Sequence, residues 1–245
     1  ITIAPARLTI TAADKSKIYG EENPELTYTI SGFGENEGLS GSGASRILHF
    51  ENNVEPSVST NATTESPAGS YPITVSVTGV RVLNANEVCN YEWFVEDATL
   101  RVLRRTVNIV ANSKTDIIYD GNEHTYRETA WPYYRFTGSG LMSGDKVTNV
   151  LLDGSRIVAG TTTITLSNVT VKHYEVVAPG DTTWTDVTQS YEASYQNGEL
   201  TISPLNITIT PKSYTHDFTG HTYSWANTES PHYDITGTLA QNDSI

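Results

Sequence analysis

The side chains best suited to metal chemistry lie near the C-terminal end of the sequence. His216, His221 and His232 accompany Asp217, and imidazole and carboxylate groups are the usual ligands of zinc and related ions. His216 and His221 are five residues apart, so a continuous strand would point them to opposite faces. We therefore predict no metal site and no cofactor in this chain.

Catalytic motifs are missing from the sequence. The two Gly-Ser-Gly segments at 41–43 and 138–140 stand alone in polar stretches, and no GxSxG segment occurs. A phosphate-binding loop or a nucleophile elbow needs these glycines within a longer pattern. We predict no catalytic residues, no cofactor-binding residues and no enzymatic activity.

Two kinds of stabilising chemistry stay open on the sequence alone. Asp and Asn side chains cluster at 52–53, 120–122 and 242–243, and such oxygens bind calcium between tandem β-domains. The clusters lack the spacing of a dedicated calcium loop. A Lys–Asn isopeptide bond would draw on one of four lysines, again without a diagnostic spacing: Lys15, Lys17, Lys114 or Lys146.

Aromatic side chains form the most plausible ligand surface. In the segment WPYYRF, alternation places Trp131 and Tyr133 on one face of a strand, and Tyr134 with Phe136 on the other. One face is expected to enter the core, while flat rings on the other would stack on a sugar. Trp184 lies in an apparent insertion. The candidate platform is therefore Trp131, Tyr133, Tyr134 and Trp184.

Composition narrows the classes of partner. The 245 residues carry 15 Lys and Arg against 28 Asp and Glu, a net charge of −13. Such a surface repels phosphate backbones and anionic lipid, so we predict no nucleic-acid partner. The single cysteine, Cys89, excludes an internal disulfide framework. No apolar run approaches the roughly 18 residues of a membrane span, so no membrane insertion is expected.

Internal repetition is the strongest pattern in the chain. Three segments begin with an alternating strand and reach an aromatic residue near a glycine, at Tyr19, Tyr119 and Phe218, spaced 100 and 99 residues apart. Closing strands recur at DATLRVL, GELTISP and ITIAP. We predict four segments: residues 1–5 as the last strand of a preceding module, modules at 6–103 and 104–204, and a truncated third module at 205–245.

Alternation of period two, rich in Thr, Val, Ile and Tyr, predicts a mainly β chain of small modules. Examples are the segments RLTIT at 7–11, with Leu8 and Ile10 on one face, YPITVSV at 71–77 and ITLSNVTV at 164–171. At most short helical turns are expected, around 35–39 and 141–147. Two architectures remain open: an immunoglobulin-like sandwich, or a β-grasp-like sheet whose first and last strands pair in parallel around a short helix.

The first module resembles a known family. The segment YGEENPELTYTISGF at 19–33 is similar to the signature of the MBG repeat, and SPAGSYPITV at 66–75 and NYEWFVEDATLRV at 90–102 resemble its other blocks. Residues 104–204 depart from this pattern, with the block LMSGDKV at 141–147. The segments FTGHTY and GTLAQND of the third module are closer to the second. The signature residues are Tyr19, Gly20, Asn23, Pro24, Tyr28, Gly32, Phe33, Pro67, Gly69 and Tyr71.

The resemblance implies a function without chemistry. Such repeats occur as tandem arrays in secreted bacterial surface proteins, attached to the cell wall or outer surface. We therefore expect an extracellular, non-catalytic stalk whose partners are neighbouring modules of the same chain. The alternative is an adhesin that binds host glycan or protein through the exposed aromatic residues of the second module.

Overall fold

A computed structural model of the chain describes residues 4–127, 133–178, 180–222 and 232–245. β-Strands dominate it, and the described residues include only two short 3-10 turns, Glu51–Asn53 and Thr188–Ser190, as helical structure. The prediction of a mainly β chain is confirmed. Of the predicted terminal strand at 1–5, residues 1–3 lie outside the described part, and the first strand begins at Ala6.

Ten strands form the first repeat. They are β1 (Ala6–Ala12), β2 (Lys15–Ile18), β3 (Tyr28–Ser31), β4 (Glu37–Leu39), β5 (Arg46–Phe50), β6 (Ser57–Thr60), β7 (Gly69–Ser76), β8 (Val82–Leu83), β9 (Tyr91–Glu96) and β10 (Ala98–Leu103). Their sheets have the orders β3-β1-β9, β2-β10-β7-β6 and β4-β5-β8. β1 pairs with β9, and β2 with β10, in parallel. Opening and closing strands thus pair in parallel in both main sheets, which is a feature of the β-grasp-like alternative. The first strand, however, pairs with β9 and not with the last strand β10, and the described residues contain no α-helix.

Two apolar clusters hold the first repeat together. Leu8 packs with Leu48 and Val82, and Ile73 packs with Leu100. Leu8 and Ile10 point to the same side of β1 and are fully buried, because side chains two residues apart share a strand face. The alternation in the sequence therefore identifies the buried face of this strand correctly.

The second repeat has the strand order of the first. Its strands are β11 (Arg105–Ala111), β12 (Lys114–Ile118), β13 (His124–Thr125), β14 (Tyr134–Thr137), β15 (Asp145–Asp153), β16 (Ser155–Arg156), β17 (Gly160–Ala178), β18 (Asp181–Asp186), β19 (Tyr191–Gln196) and β20 (Gly198–Ser203). The sheet orders β14-β11-β19 and β12-β20-β17-β15 repeat those of the two main sheets of the first repeat. The second repeat also has a β13-β16 pair and the hairpin of β17 with β18, and none of its described sheets corresponds to β4-β5-β8.

The described residues of the segment 205–245 contain one further strand pair. β21 (Thr208–Pro211) and β22 (Tyr233–Thr236) are antiparallel, like β1 with β3 and β11 with β14. Several apolar side chains of this segment are exposed to solvent, most of all Phe218, which is 97% exposed. The described part of this segment therefore contains a strand pair like the opening pairs of the first two repeats, and the truncated third module remains a prediction.

The chain divides into two compact units. One contains residues 1–107, 138–148 and 170–193, and the other residues 108–137, 149–169 and 194–245. The first unit thus combines the first repeat with two segments of the second. The predicted module boundaries remain a prediction from the sequence repeats. No described helix has the length and apolar character needed to cross a membrane.

Candidate functional site

A buried carboxylate, Asp145, is the centre of the best-defined polar site in the first compact unit. Its side chain has no solvent exposure. Asp145 is the last residue of a four-residue turn over 142–145, closed by its amide donating to the Met142 carbonyl at 3.1 Å. Gly144 supplies the positive φ, +88°, that such a turn needs at its third position. We call a turn of this form, ending in an acidic residue, an acidic turn.

Three donors converge on the Asp145 carboxylate. Oδ2 accepts hydrogen bonds from the Tyr19 hydroxyl at 3.0 Å and the Tyr191 hydroxyl at 2.5 Å. His173 Nδ1 lies 2.6 Å from Oδ1. A buried charge is costly unless it is paired and hydrogen-bonded, and these contacts compensate that cost.

The two tyrosines contact each other as well as the carboxylate. Their rings lie 5.5 Å apart, edge to face. Burial, and then the nearby Asp145 charge, raises the pKa of Tyr19 well above its usual value. Burial, and then the hydrogen bond to Asp145, does the same for the pKa of Tyr191. Both phenols therefore remain protonated donors throughout the physiological range.

The chain around Tyr19 is fixed by backbone contacts. Arg105 donates to the carbonyls of Gly140 at 3.0 Å, Ser139 at 3.2 Å and Tyr19 at 3.4 Å. Gly20 has a φ of +86°, and a Cβ there would lie 2.8 Å from Met142 Cγ. Glycine is thus required both by conformation and by the close approach of the turn. We call the segment from this tyrosine to the following positive-φ glycine a Tyr–Gly corner.

The same contact recurs in the second compact unit, one repeat further along the chain. The Tyr119 hydroxyl donates to Asp243 Oδ1 at 3.2 Å. Asp243 ends an acidic turn over 240–243, closed by its amide on the Ala240 carbonyl at 3.1 Å. A Cβ on Gly121, whose φ is +82°, would lie 2.8 Å from the Gln241 carbonyl oxygen. A Tyr–Gly corner of one repeat therefore contacts the acidic turn of the next, twice.

The geometry of the Asp145 site is suited to holding two repeats together. Both Asp145 oxygens are engaged by donors and the side chain is closed to solvent, so a substrate has no route to it in this conformation. The Asp145 carboxylate joins Tyr19 of the first repeat to Tyr191 and His173 of the second through hydrogen bonds. The site is a junction between successive repeats.

The described residues of the predicted aromatic platform belong to two different compact units. Trp131 lies outside the described residues. Tyr134 is only 5% exposed, so its ring has no free face, and we remove it from the platform. Tyr133 is half-buried and packs edge to face against Tyr126 at 5.6 Å. Tyr134 shares its core-facing side with Phe136, as alternation along a strand requires.

Trp184 belongs to the first compact unit, whereas Tyr133 and Tyr134 belong to the second. It is 44% exposed on β18, with its ring 5.0 Å from that of Tyr174 on β17. Lys146 Nζ lies 4.9 Å from the Tyr174 ring and 5.8 Å from the Trp184 ring. Hairpin pairing, which sets Tyr174 directly opposite Trp184, creates this aromatic pair.

Other chemical candidates are accounted for individually. The described residues contain no cluster of three or more His, Cys, Asp or Glu side chains placed to hold a metal ion. Lys17 is buried, and its ammonium donates to the carbonyls of Thr63 at 2.5 Å and Glu21 at 3.0 Å. Loss of hydration lowers the pKa of Lys17. Lys114 pairs with Asp116 at 2.9 Å.

The signature residues form turns and close contacts of the first repeat. Asn23, followed by Pro24, donates its amide to the Ala62 carbonyl at 2.6 Å. The Tyr71 hydroxyl donates to the Pro67 carbonyl at 2.8 Å, next to Gly69. Gly32 follows β3 with a φ of +94°. Tyr28 is half-buried at the start of β3, and Phe33 packs on the Leu8 cluster.

Sequence patterns give Tyr19 no partner. The block LMSGDKV, which contains Asp145, carries no predicted role, and a helical turn is predicted for this block and for 35–39. Both segments instead contain acidic turns, because Gly144 and Asn36 take a positive φ that a helix excludes. A signal was present: Tyr91-Glu92 and Tyr191-Glu192 recur 100 residues apart.

Alkaline pH is expected to destabilise the first compact unit through its two junction tyrosines. Unfolded tyrosine titrates near pH 10, whereas Tyr19 and Tyr191 titrate higher when folded. Their contribution is complete below about pH 10 and is lost as pH rises, by about 1.4 kcal/mol per pH unit for each tyrosine. Urea unfolding between pH 9 and 11 measures this slope. Tyr191→Phe should reduce it, and an unchanged slope would argue against a buried phenol.

Comparison with known proteins identifies one similarity. Residues 8–101 match the family model of the MBG domain of the YGX type. This confirms the resemblance of the first repeat to the MBG repeat. No curated protein and no solved structure matches the chain.

Proposed function

From the match of residues 8–101 to the MBG domain, we propose that this chain is a non-catalytic repeat region of a secreted bacterial surface protein. Its repeats act as a stalk that spaces a distal region from the cell surface. The proposal places the chain outside the cell, attached to the cell wall or outer surface. Neighbouring repeats are its principal partners.

The observation that carries this proposal is the repeated junction. Tyr19 contacts Asp145 and Tyr119 contacts Asp243, each joining one repeat to the acidic turn of the next. A spacer must resist bending between its modules, and short junctions with fixed contacts limit that freedom. A hydrogen bond to a charged group contributes about 1.5–3 kcal/mol, enough to favour one junction geometry strongly.

Composition supports the same role. The net charge of −13 keeps an exposed chain solvated and repels like-charged surfaces. Small polar residues cover the strands, with Thr prominent in β17, β18 and β21. Such a surface favours solubility over adhesion, as a spacer requires.

We expect Tyr19→Phe to loosen the first junction. Spin labels on cysteines placed at the exposed Ser59 and Thr182, which belong to different repeats but to the same compact unit, report the distance distribution across the first junction by pulsed electron paramagnetic resonance, with Cys89 replaced by serine. The distribution should be narrow in the parent chain and broader in Tyr19→Phe, which keeps the ring and removes the donor. Tyr191→Phe is the matched control, because its hydroxyl contacts the same oxygen from within the second repeat. A parent distribution as broad as that of Tyr19→Phe would exclude a rigid spacer.

A second function, glycan or protein binding, is favoured by one feature. Trp184 and Tyr174 form an exposed aromatic pair beside Lys146, on a hairpin that the first repeat lacks. Flat aromatic rings beside a cation suit the apolar face of a sugar and an acidic group. The two functions differ in what Trp184→Ala changes: spacing is independent of this side chain, whereas adhesion through the pair requires it.

A further inference from the structure

Three acidic turns occur at equivalent places in the three repeats. In the first repeat the turn covers residues 34–37, with the Glu37 amide donating to the Gly34 carbonyl at 3.0 Å and Asn36 at a φ of +59°. The turns at 142–145 and 240–243 have the same closing bond, at 3.1 Å in both. Each ends in an acidic residue: Glu37, Asp145 or Asp243.

The first two turns also share their internal tyrosine. The Tyr191 hydroxyl accepts from the Met142 amide at 2.8 Å and donates to Asp145. In the first repeat the Tyr91 hydroxyl accepts from the Gly34 amide at 2.9 Å and donates to Glu37 by a short hydrogen bond. The acidic group is thus oriented in the same way, by a tyrosine at the start of β9 or β19.

The turns differ in what approaches from the preceding repeat. Asp145 receives Tyr19, and Asp243 receives Tyr119. Among the described residues, the tyrosine that Glu37 receives is Tyr91 of its own repeat, and no Tyr–Gly corner reaches it. Glu37 remains half-buried, and Gly34 and Asn36 are exposed.

We propose that the acidic turn at 34–37, together with Tyr91, is a docking site for the Tyr–Gly corner of a further repeat of this type. The incoming tyrosine hydroxyl donates to the Glu37 carboxylate, as Tyr19 does to Asp145. Its glycine, at positive φ, passes over the turn as Gly20 passes over Met142. The site therefore selects a tyrosine followed within two residues by glycine. The proposal concerns the joining of repeats and holds for a stalk or an adhesin alike.

The test uses a chain extended by one repeat. A second copy of residues 104–204 is placed before Ala6, since its closing LTISP corresponds to ITIAP at 1–5. Hydrogen exchange followed by mass spectrometry compares the segment 34–39 in the extended and the 245-residue chains. We expect exchange to slow at least about tenfold, and tenfold corresponds to about 1.4 kcal/mol. Equal exchange in the two chains, with the added repeat folded by circular dichroism, overturns the proposal.

Two variants of the extended chain locate the contact. Tyr119→Phe in the added copy keeps the ring and removes the donor, so it should restore most of the fast exchange. Glu37→Gln should do the same from the other side, and in the 245-residue chain it reports any local effect of the substitution alone. Slow exchange that survives both variants would assign the protection to some other contact and overturn the proposal.

Discussion

Replacing Asp145 by alanine is expected to lower the free energy of unfolding of the first compact unit by about 3–5 kcal/mol. Removal of one member of a buried charged network has this cost, because the remaining groups stay buried without their partner. Here the hydroxyls of Tyr19 and Tyr191 and the Nδ1 of His173 all lose their acceptor. Urea unfolding of the full chain, followed by circular dichroism, measures the shift.

The chain provides a matched control for this substitution. Asp243 has the same place in its acidic turn and accepts from Tyr119, yet it is exposed. Asp243→Ala removes an equivalent hydrogen bond without burying an unsatisfied group, so it should shift the unfolding curve far less. Asp145→Asn, which keeps an acceptor oxygen, should lie between the two. Equal shifts for Asp145→Ala and Asp243→Ala would show that burial is not the cause.

The second large effect is expected for Gly32→Ala. The φ of Gly32 is +94°, and an added Cβ would lie 2.3 Å from the Arg7 carbonyl oxygen, a backbone atom. The positive φ costs alanine about 1–2 kcal/mol. Relief of the overlap, which requires β1 and β3 to move apart, adds about 1–3 kcal/mol. The urea midpoint should therefore fall clearly, with loss of cooperativity in the first repeat.

Gly69 is the control for Gly32, since both belong to the same set of signature residues. Gly69 lacks a positive φ, and a Cβ there would have its nearest neighbours at 3.9 Å. Gly69→Ala should thus change the free energy of unfolding by no more than about 0.5 kcal/mol. If both substitutions destabilise alike, the steric account of Gly32 is incorrect.

Sequence patterns predicted much of this fold because they report local physics. Alternation along 7–11 located the buried Leu8 and Ile10, and the recurring aromatic residue near a glycine marked the Tyr–Gly corners at Tyr19 and Tyr119. The strand orders of the two main sheets recur in the second segment, while the module bounds remain a prediction from the sequence. The sequence did not decide whether β1 pairs in parallel with a closing strand. Strands some 80 residues apart carry no local pattern that shows their pairing.

The candidate site shows most clearly what sequence patterns cannot predict. Tyr19 and Asp145 are 126 residues apart in the chain, so neither a strand period nor a turn motif connects them. Tyr134 appeared as suited to a platform as Tyr133, because alternation separates two faces without stating which is buried.

By itself, the sequence determined the repeat length, the β class, the acidic surface and the resemblance to the MBG repeat. These depend on composition and short-range pattern, which each repeat carries within its own residues. Only the tertiary structure decided which groups meet at the junctions. A buried hydrogen bond between distant residues exists only once both repeats have folded and excluded water around the carboxylate.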